Sequence, residues 1–431
     1  MNDKTLKPLE STSRIDSLDV IRGIALFGIL LMNIIEMGLP FSYSDSSVLG
    51  HDTGWNLWVW KMNELLFEGT MRGLFSMLFG AGVILLTSRL EKSGAGIKCA
   101  DIYYRRTIWL LVFGIVHVWL LLWYGDILYP YAIFAFFLFP ARNCLPRNLL
   151  VFALALLSAA TFMHFSQYED KQKVEIAGLE AQATQTAGET LTEEQSDALE
   201  AYEKAVLKKT PEDIAKAIET ENGDYWSIVL SRTSKNRMFQ TTFVYNMWVW
   251  DILSFMLIGM AFYSWRIFHG ELSYRFYILF VVIGYGVGLS VNFIEMTQVV
   301  SSGFNPVIMA KTKITYDLGR LATTIGHIGL FMLFIKSGVL PFLQKGLAAV
   351  GRMALTNYIM HSIITGFLFL GFGFSLFGKL ERYELYYIVL GIWIFQLILS
   401  PIWLSYFKYG PMEWLWRSLT YMKKQSFRIV K

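Results

Sequence analysis

His117 and Asp126 are the pair in this sequence best suited to acid–base chemistry. His117 closes the otherwise apolar Gly114-Ile115-Val116-His117, and Tyr124-Gly125-Asp126 follows in a turn too short to let its carboxylate stray. A carboxylate that orients an imidazole makes a general base, able here to deprotonate an amine or hydroxyl attacking a thioester. Arg72, one turn after Glu68, would then neutralise the buried Asp126 or stabilise a developing oxyanion. The plainer reading of His117, a hydrogen-bonded packing residue of a membrane helix, stands beside this one.

Other polar residues fall where apolar surroundings make them expensive, at about 2–3 kcal/mol for a charged group. Asp19 and Arg22, in Arg14-Ile15-Asp16-Ser17-Leu18-Asp19-Val20-Ile21-Arg22-Gly23, sit one helical turn apart. They could form a structural ion pair, or Arg22 could meet a phosphate. Asn246, Asp251 and Ser254 form a third group, with Asp251 able to pair with Arg72 or Arg320 or to bind a coupling proton or cation. Arg352, Asn357, Tyr358, His361 and Ser362 form a fourth, in which Asn357 and His361 share a helix face and His361 is a second candidate histidine. His327, among glycines, reads as packing. No G-x-x-x-x-G-K-[ST], H-E-x-x-H or G-x-S-x-G is present, which removes the familiar ATPase, zinc-protease and serine-hydrolase readings.

The elements that must hold these residues are membrane helices. Of 431 residues, 54% are hydrophobic and 17% charged, where a soluble domain carries about a quarter charged. Apolar stretches long enough to cross about 30 Å of hydrocarbon recur along the chain, and the alternation of a β-barrel is missing. The pattern predicts an all-α polytopic bundle with spans at 19–38, 70–88, 107–124, 127–140, 148–165, 243–264, 276–294, 317–335, 353–373 and 385–406. Pro130 is expected to kink the short fourth span or make it re-entrant. Basic residues crowd every second connection, Arg89 to Arg106 and Lys408 to Lys431 among them, so both termini are expected in the cytoplasm. Met1 to Arg14 lacks the apolar core of a cleavable signal, and the first span is expected to be retained.

Three regions follow: a membrane half at 1–165, an acidic helical insert outside the membrane at 166–242, and a second membrane half at 243–431 with an interfacial tail. In the insert, Thr192-Glu193-Glu194-Gln195 and Thr210-Pro211-Glu212-Asp213 each read as a helix start. Trp55 to Phe67 and Gly410 to Arg417 read as interfacial segments. Cys99 and Cys144 support neither a disulfide framework nor a metal site, and none is expected. The formal net charge of +4 lies largely in loops and does not indicate nucleic acid. Lipid is the expected surrounding, and a homo-oligomer is compatible with it.

The opening Arg14 to Gly23 running into Gly28 to Ile34 resembles the start of bacterial YeiB-type membrane proteins. Leu74 to Gly82, Arg105-Arg106, His117 with Gly125-Asp126-Ile127-Leu128, Gly351-Arg352 with Leu355-Thr356-Asn357-Tyr358, and Gly410 to Tyr421 fit the same family in order. That resemblance implies a multi-pass protein of the bacterial inner membrane. The Arg-x-x-Ser-Leu-Asp-x-x-Arg-Gly opening is also similar to that of heparan-α-glucosaminide N-acetyltransferase, which implies a wider transmembrane acyltransferase superfamily. Such enzymes carry an acyl group from cytosolic acyl-CoA, typically acetyl-CoA, to a sugar or glycan on the far side, using a membrane-embedded histidine. By that resemblance His117 is the matching histidine. Arg14, Asp19, Arg22, Arg105 and Arg106 would lie at the coenzyme A mouth, the arginines holding its phosphates. An ion-coupled transporter for a small molecule, lined by Asp251, His361, Arg72 and Arg320, is the alternative.

Overall fold

The structure, a computed structural model, describes residues 16–206 and 209–429; Arg14 lies outside them. Among the described residues the chain is helical, with one isolated β-bridge between Phe407 and Arg428. In order, the helices are α1 (Asp16–Gly38), α2 (Gly54–Met62), α3 (Thr70–Lys92), α4 (Lys98–Trp119), α5 (Leu128–Ala141), α6 (Pro146–Thr186), α7 (Glu193–Val206), α8 (Pro211–Glu221) and α9 (Tyr225–Met238). There follow α10 (Val249–Ser264), α11 (Tyr274–Ser301), α12 (Pro306–Ser337), α13 (Pro341–Arg352), α14 (Ala354–Phe369), α15 (Leu385–Tyr406) and α16 (Pro411–Thr420). Short π-helical stretches, Asn63–Phe67 and Phe239–Trp248, lead towards α3 and α10.

Among the described residues, seven helical segments are long and apolar enough to cross a membrane: Asp16–Gly38, Gly54–Lys92, Pro146–Thr186, Tyr225–Ser264, Tyr274–Ser301, Pro306–Ser337 and Leu385–Tyr406. The other three expected spans fall on the shorter apolar helices α5 and α14 and on α4. Pro130 does not kink its span. It sits in the first turn of α5, where its missing N–H interrupts no helical bond.

Helix burial sorts the bundle. The apolar window of α1 is 78% buried, while those of α6, α11 and α15 are 22% buried and turn their apolar side chains outward. Equally apolar sequences thus divide into a central post and a lipid-facing wall. Close approach is made by glycine. A Cβ on Gly80 of α3 would lie 1.9 Å from the Met256 carbonyl oxygen, and one on Gly259 of α10 would lie 1.9 Å from that of Met77. Small residues facing backbone in this way are the usual means of bringing membrane helices together.

The helix starts read in the insert are present. Thr192 and Gln195 exchange reciprocal capping bonds at α7, as do Thr210 and Asp213 at α8. Residue 165 marks no break, because α6 runs through it as one 41-residue helix. The tail segment forms α16. Its Glu413 caps another helix, accepting from the Leu355 and Thr356 amides at 2.7 and 3.1 Å at the start of α14. A carboxylate there offsets the unpaired N–H groups and the positive end of the helix dipole.

Candidate functional site

His117 lies near the end of α4 and Asp126 in the loop before α5. Their side chains are fully buried and meet, Nδ1 to Oδ1, at 2.7 Å. The other carboxylate oxygen accepts from the Tyr129 amide at 2.7 Å, so Asp126 also caps α5. Gly114 leaves room for this: a Cβ there would lie 2.4 Å from the Tyr129 nitrogen and 2.9 Å from Asp126 Oδ2. The His117 ring packs in a T-shaped arrangement against Tyr358, whose hydroxyl accepts from the Ile127 amide at 3.1 Å.

The second imidazole nitrogen finds a partner from far along the chain. His117 Nε2 is 2.7 Å from Ser362 Oγ on α14. With Nδ1–H donating to the carboxylate, Nε2 is left as an acceptor and the serine hydroxyl donates to it. Ser362, His117 and Asp126 therefore form a hydroxyl–imidazole–carboxylate chain, the arrangement that activates a serine in unrelated folds.

The two faces of α14 separate what the sequence grouped. Tyr358 and Ser362 face the histidine. Asn357 and His361 instead face α15: Asn357 donates to Ser400 Oγ at 3.1 Å and His361 Nε2 lies 3.0 Å from Gln396 Oε1. His361 thus ties two helices together and stands outside the relay.

Arg72 does not serve Asp126. Its Nε donates to Asp251 at 2.8 Å across the α3–α10 contact, which also fixes the partner of Asp251. Arg320 instead meets Glu295 at 2.7 Å and Glu64 at 3.3 Å. His327 has both nitrogens satisfied, by Tyr285 Oη at 2.7 Å and the Leu66 carbonyl at 2.8 Å.

A cavity of about 270 Å³ opens where α1 begins. Arg22, Arg89, Arg106, Arg352 and Arg417 line it against two carboxylates, Asp19 and Glu413. Arg22 meets Asp19 at 2.9 Å, and the Arg106 guanidinium lies 3.6 Å above the Trp416 ring. Arg105, next in sequence to Arg106, points away and pairs with Asp101. Adjacent helical residues project about 100° apart, so only one of the two can face the cavity. Arg89 and Arg417 also line it; the sequence placed them among the basic residues of the connections and tail, not among those expected at the mouth.

A second, much smaller cavity lies at the other end of α1, lined by Met37, Trp123, Arg232, Ser362 and Thr365. The loop beside it is strained and clamped. Leu122 takes a left-handed backbone (φ 60°), a conformation costing of order 1 kcal/mol. Its carbonyl accepts from the Arg232 guanidinium of α9, which also pairs with Glu221 at 2.7 Å.

Comparison with known proteins finds relatives along almost the whole chain. A family model described as "Protein of unknown function (DUF418)" matches residues 262–423. Uncharacterized protein YxaH of Bacillus subtilis (strain 168) is 30% identical, with 98% of each chain covered. Uncharacterized protein YeiB of Escherichia coli (strain K12) is 28% identical, covering 94% of this chain and 95% of its own. An uncharacterized 39.9 kDa protein from the amylase 3′ region of Bacillus acidopullulyticus is 24% identical over 97% of both. No solved structure matches. With YxaH and YeiB aligned from end to end, this chain belongs to the DUF418 family of YeiB-type membrane proteins.

Proposed function

We propose that the protein is an acyltransferase of the bacterial inner membrane, with both termini cytoplasmic. It moves an acyl group from cytosolic acyl-CoA to a hydroxyl or amine acceptor, a sugar or glycan, on the opposite side. The observation that carries this reading is the buried His117–Asp126 pair at 2.7 Å, held in the same bundle as the arginine-lined cavity. His117 acts as general base, and Asp126 fixes its tautomer and balances the imidazolium that forms. Five guanidinium groups against two carboxylates suit a polyanion such as the diphosphate and 3′-phosphate of coenzyme A. At about 270 Å³ the cavity is slightly below the usual size of a ligand pocket, so it would take only part of coenzyme A, with the adenosine outside.

Helix α14 joins the two ends. Leu355 lines the arginine-rich cavity and Ser362 the small one, seven residues or about 10 Å along the helix. An extended thioester arm entering beside Leu355 has that distance to cover.

The test is binding and turnover by the purified protein in detergent. Acetyl-CoA at micromolar concentration is expected to raise the melting temperature and release free thiol. In His117→Ala stabilisation persists and release falls about 10⁴-fold. If neither acetyl-CoA nor longer acyl-CoAs shift the melting curve, the reading fails. Proton-driven solute uptake through Asp251, His361, Arg72 and Arg320 then becomes the reading to test in vesicles. That path has less support, since none of the four lines either cavity and each is already paired.

A further inference from the structure

The sequence nominated a histidine as base for a direct attack by the acceptor. The geometry around that histidine adds a group. Its Nε2, the nitrogen left free to take a proton, is directed at Ser362 Oγ. Several buried hydroxyls in these helices donate to a carbonyl one turn back, among them Thr87 to Val83 at 2.9 Å, Thr324 to Arg320 at 2.7 Å and Thr365 to His361 at 2.8 Å. That local bond is the default for a serine or threonine in an apolar helix. Ser362 bonds to the imidazole instead, and it lines the small cavity at the opposite end of α1 from the larger one. Beside it, the buried Trp123 lines the same cavity with an indole N–H that closes no well-formed hydrogen bond. A donor held in this way is suited to an oxyanion that forms only during reaction.

We infer that Ser362 is a nucleophile that carries the acyl group as a covalent ester between donor and acceptor. This rests on the acyltransferase reading above and specifies its route as two half-reactions. In the first, Ser362 Oγ attacks the thioester carbonyl carbon and its proton passes to His117 Nε2. The carbon–sulfur bond then breaks, and the thiolate leaves with that proton as free coenzyme A. In the second, the acceptor hydroxyl gives its proton to His117 and attacks the ester carbonyl. The bond to Oγ breaks, and Ser362 recovers the proton. No oxidant or metal is needed. An ester at Ser362 sits where the small cavity opens, so the acceptor need never meet coenzyme A.

The experiment loads the full-length protein in detergent with acetyl-, octanoyl- or palmitoyl-CoA in the absence of acceptor. Free thiol and protein-bound acyl group are then measured by intact and peptide mass spectrometry. A burst of about one equivalent of thiol is expected, with one acyl group on the peptide containing Ser362. Ser362→Ala is expected to bind acyl-CoA with unchanged affinity, lose the burst and carry no label. Ser362→Cys is expected to keep the label as a thioester cleaved by neutral hydroxylamine, which a merely structural serine would not produce. Thiol release within about threefold of wild type in Ser362→Ala, or an acyl group found on another residue, overturns the covalent route and leaves the transferase standing. Absence of any acyl-CoA binding by the wild type overturns both.

Discussion

Two buried histidines, on α4 and α12, show how partners separate a reactive imidazole from a structural one. His327 has a phenol on Nδ1 and a backbone carbonyl on Nε2. The carbonyl can only accept, so Nε2 carries the proton, and Nδ1 accepts from Tyr285. Nothing there balances a positive ring, and the arrangement works only as a neutral tie. His117 has a carboxylate on Nδ1 and an alcohol on Nε2. The carboxylate stabilises an imidazolium and the alcohol can supply its proton. Both rings are equally out of water; the difference lies in whether charge can be accommodated. The charged network of Arg72, Asp251, Arg320, Glu64 and Glu295 falls on the structural side of the same division, because each cation there already has its anion.

The contrast is open to test from both sides. Asp126→Asn keeps the shape of the loop but can no longer hold the required tautomer, so acyl-CoA thiol release is expected to drop about 10³-fold with the melting temperature little changed. Normal turnover in that variant would erase the distinction between the two histidines. Gly114→Ala pushes a methyl group into the Tyr129 amide and Asp126. A displacement approaching 1 Å at the carboxylate is expected to cost about 10²-fold in kcat, visible in single-turnover measurements at saturating acyl-CoA. At the other cavity, Arg106→Gln is expected to weaken coenzyme A binding about tenfold, one charge-assisted contact, without changing kcat; titration calorimetry reads it. Arg105→Gln serves as its neighbouring control and should bind normally. His327→Ala is expected to leave thiol release within about threefold but to lower stability by about 1–3 kcal/mol, as Tyr285 and the Leu66 carbonyl lose their partner.

What could be read from the sequence was what lies close along it. Asp19 and Arg22 are one turn apart, Thr210 and Asp213 share a helix start, and His117 and Asp126 are joined by a tight loop; all three pairs form. Apolar length set the helix positions in the same way, because the requirement that each span satisfy its own backbone is local. Ser362 stayed hidden among five polar residues of one segment, 245 positions from its partner. A signal was available: Tyr358 and Ser362 are one turn apart and lie on a different face from Asn357 and His361. Which face meets which neighbour, however, is decided by helix packing. The partner of Arg72 stayed open for the same reason. Asp126 and Asp251 were both candidates, and Asp251, 179 positions away, takes the guanidinium. Arg105 and Arg106 are chemically identical and differ only in helical phase.

By composition the acidic insert would be the first part of this protein that an engineer might trim. The clamp on Leu122 argues against removing it as a block. Arg232 and Tyr225 both belong to α9, and they hold the carbonyls of Leu122 and Leu120, the springing of the arch that ends at Asp126. Excising 166–242 would withdraw the keystone and free the chain between α4 and α5 to relax. A shortened protein that keeps α8 and α9 with their Arg232–Glu221 pair retains that support, and the dispensable portion shrinks to the outer part of α6 and to α7.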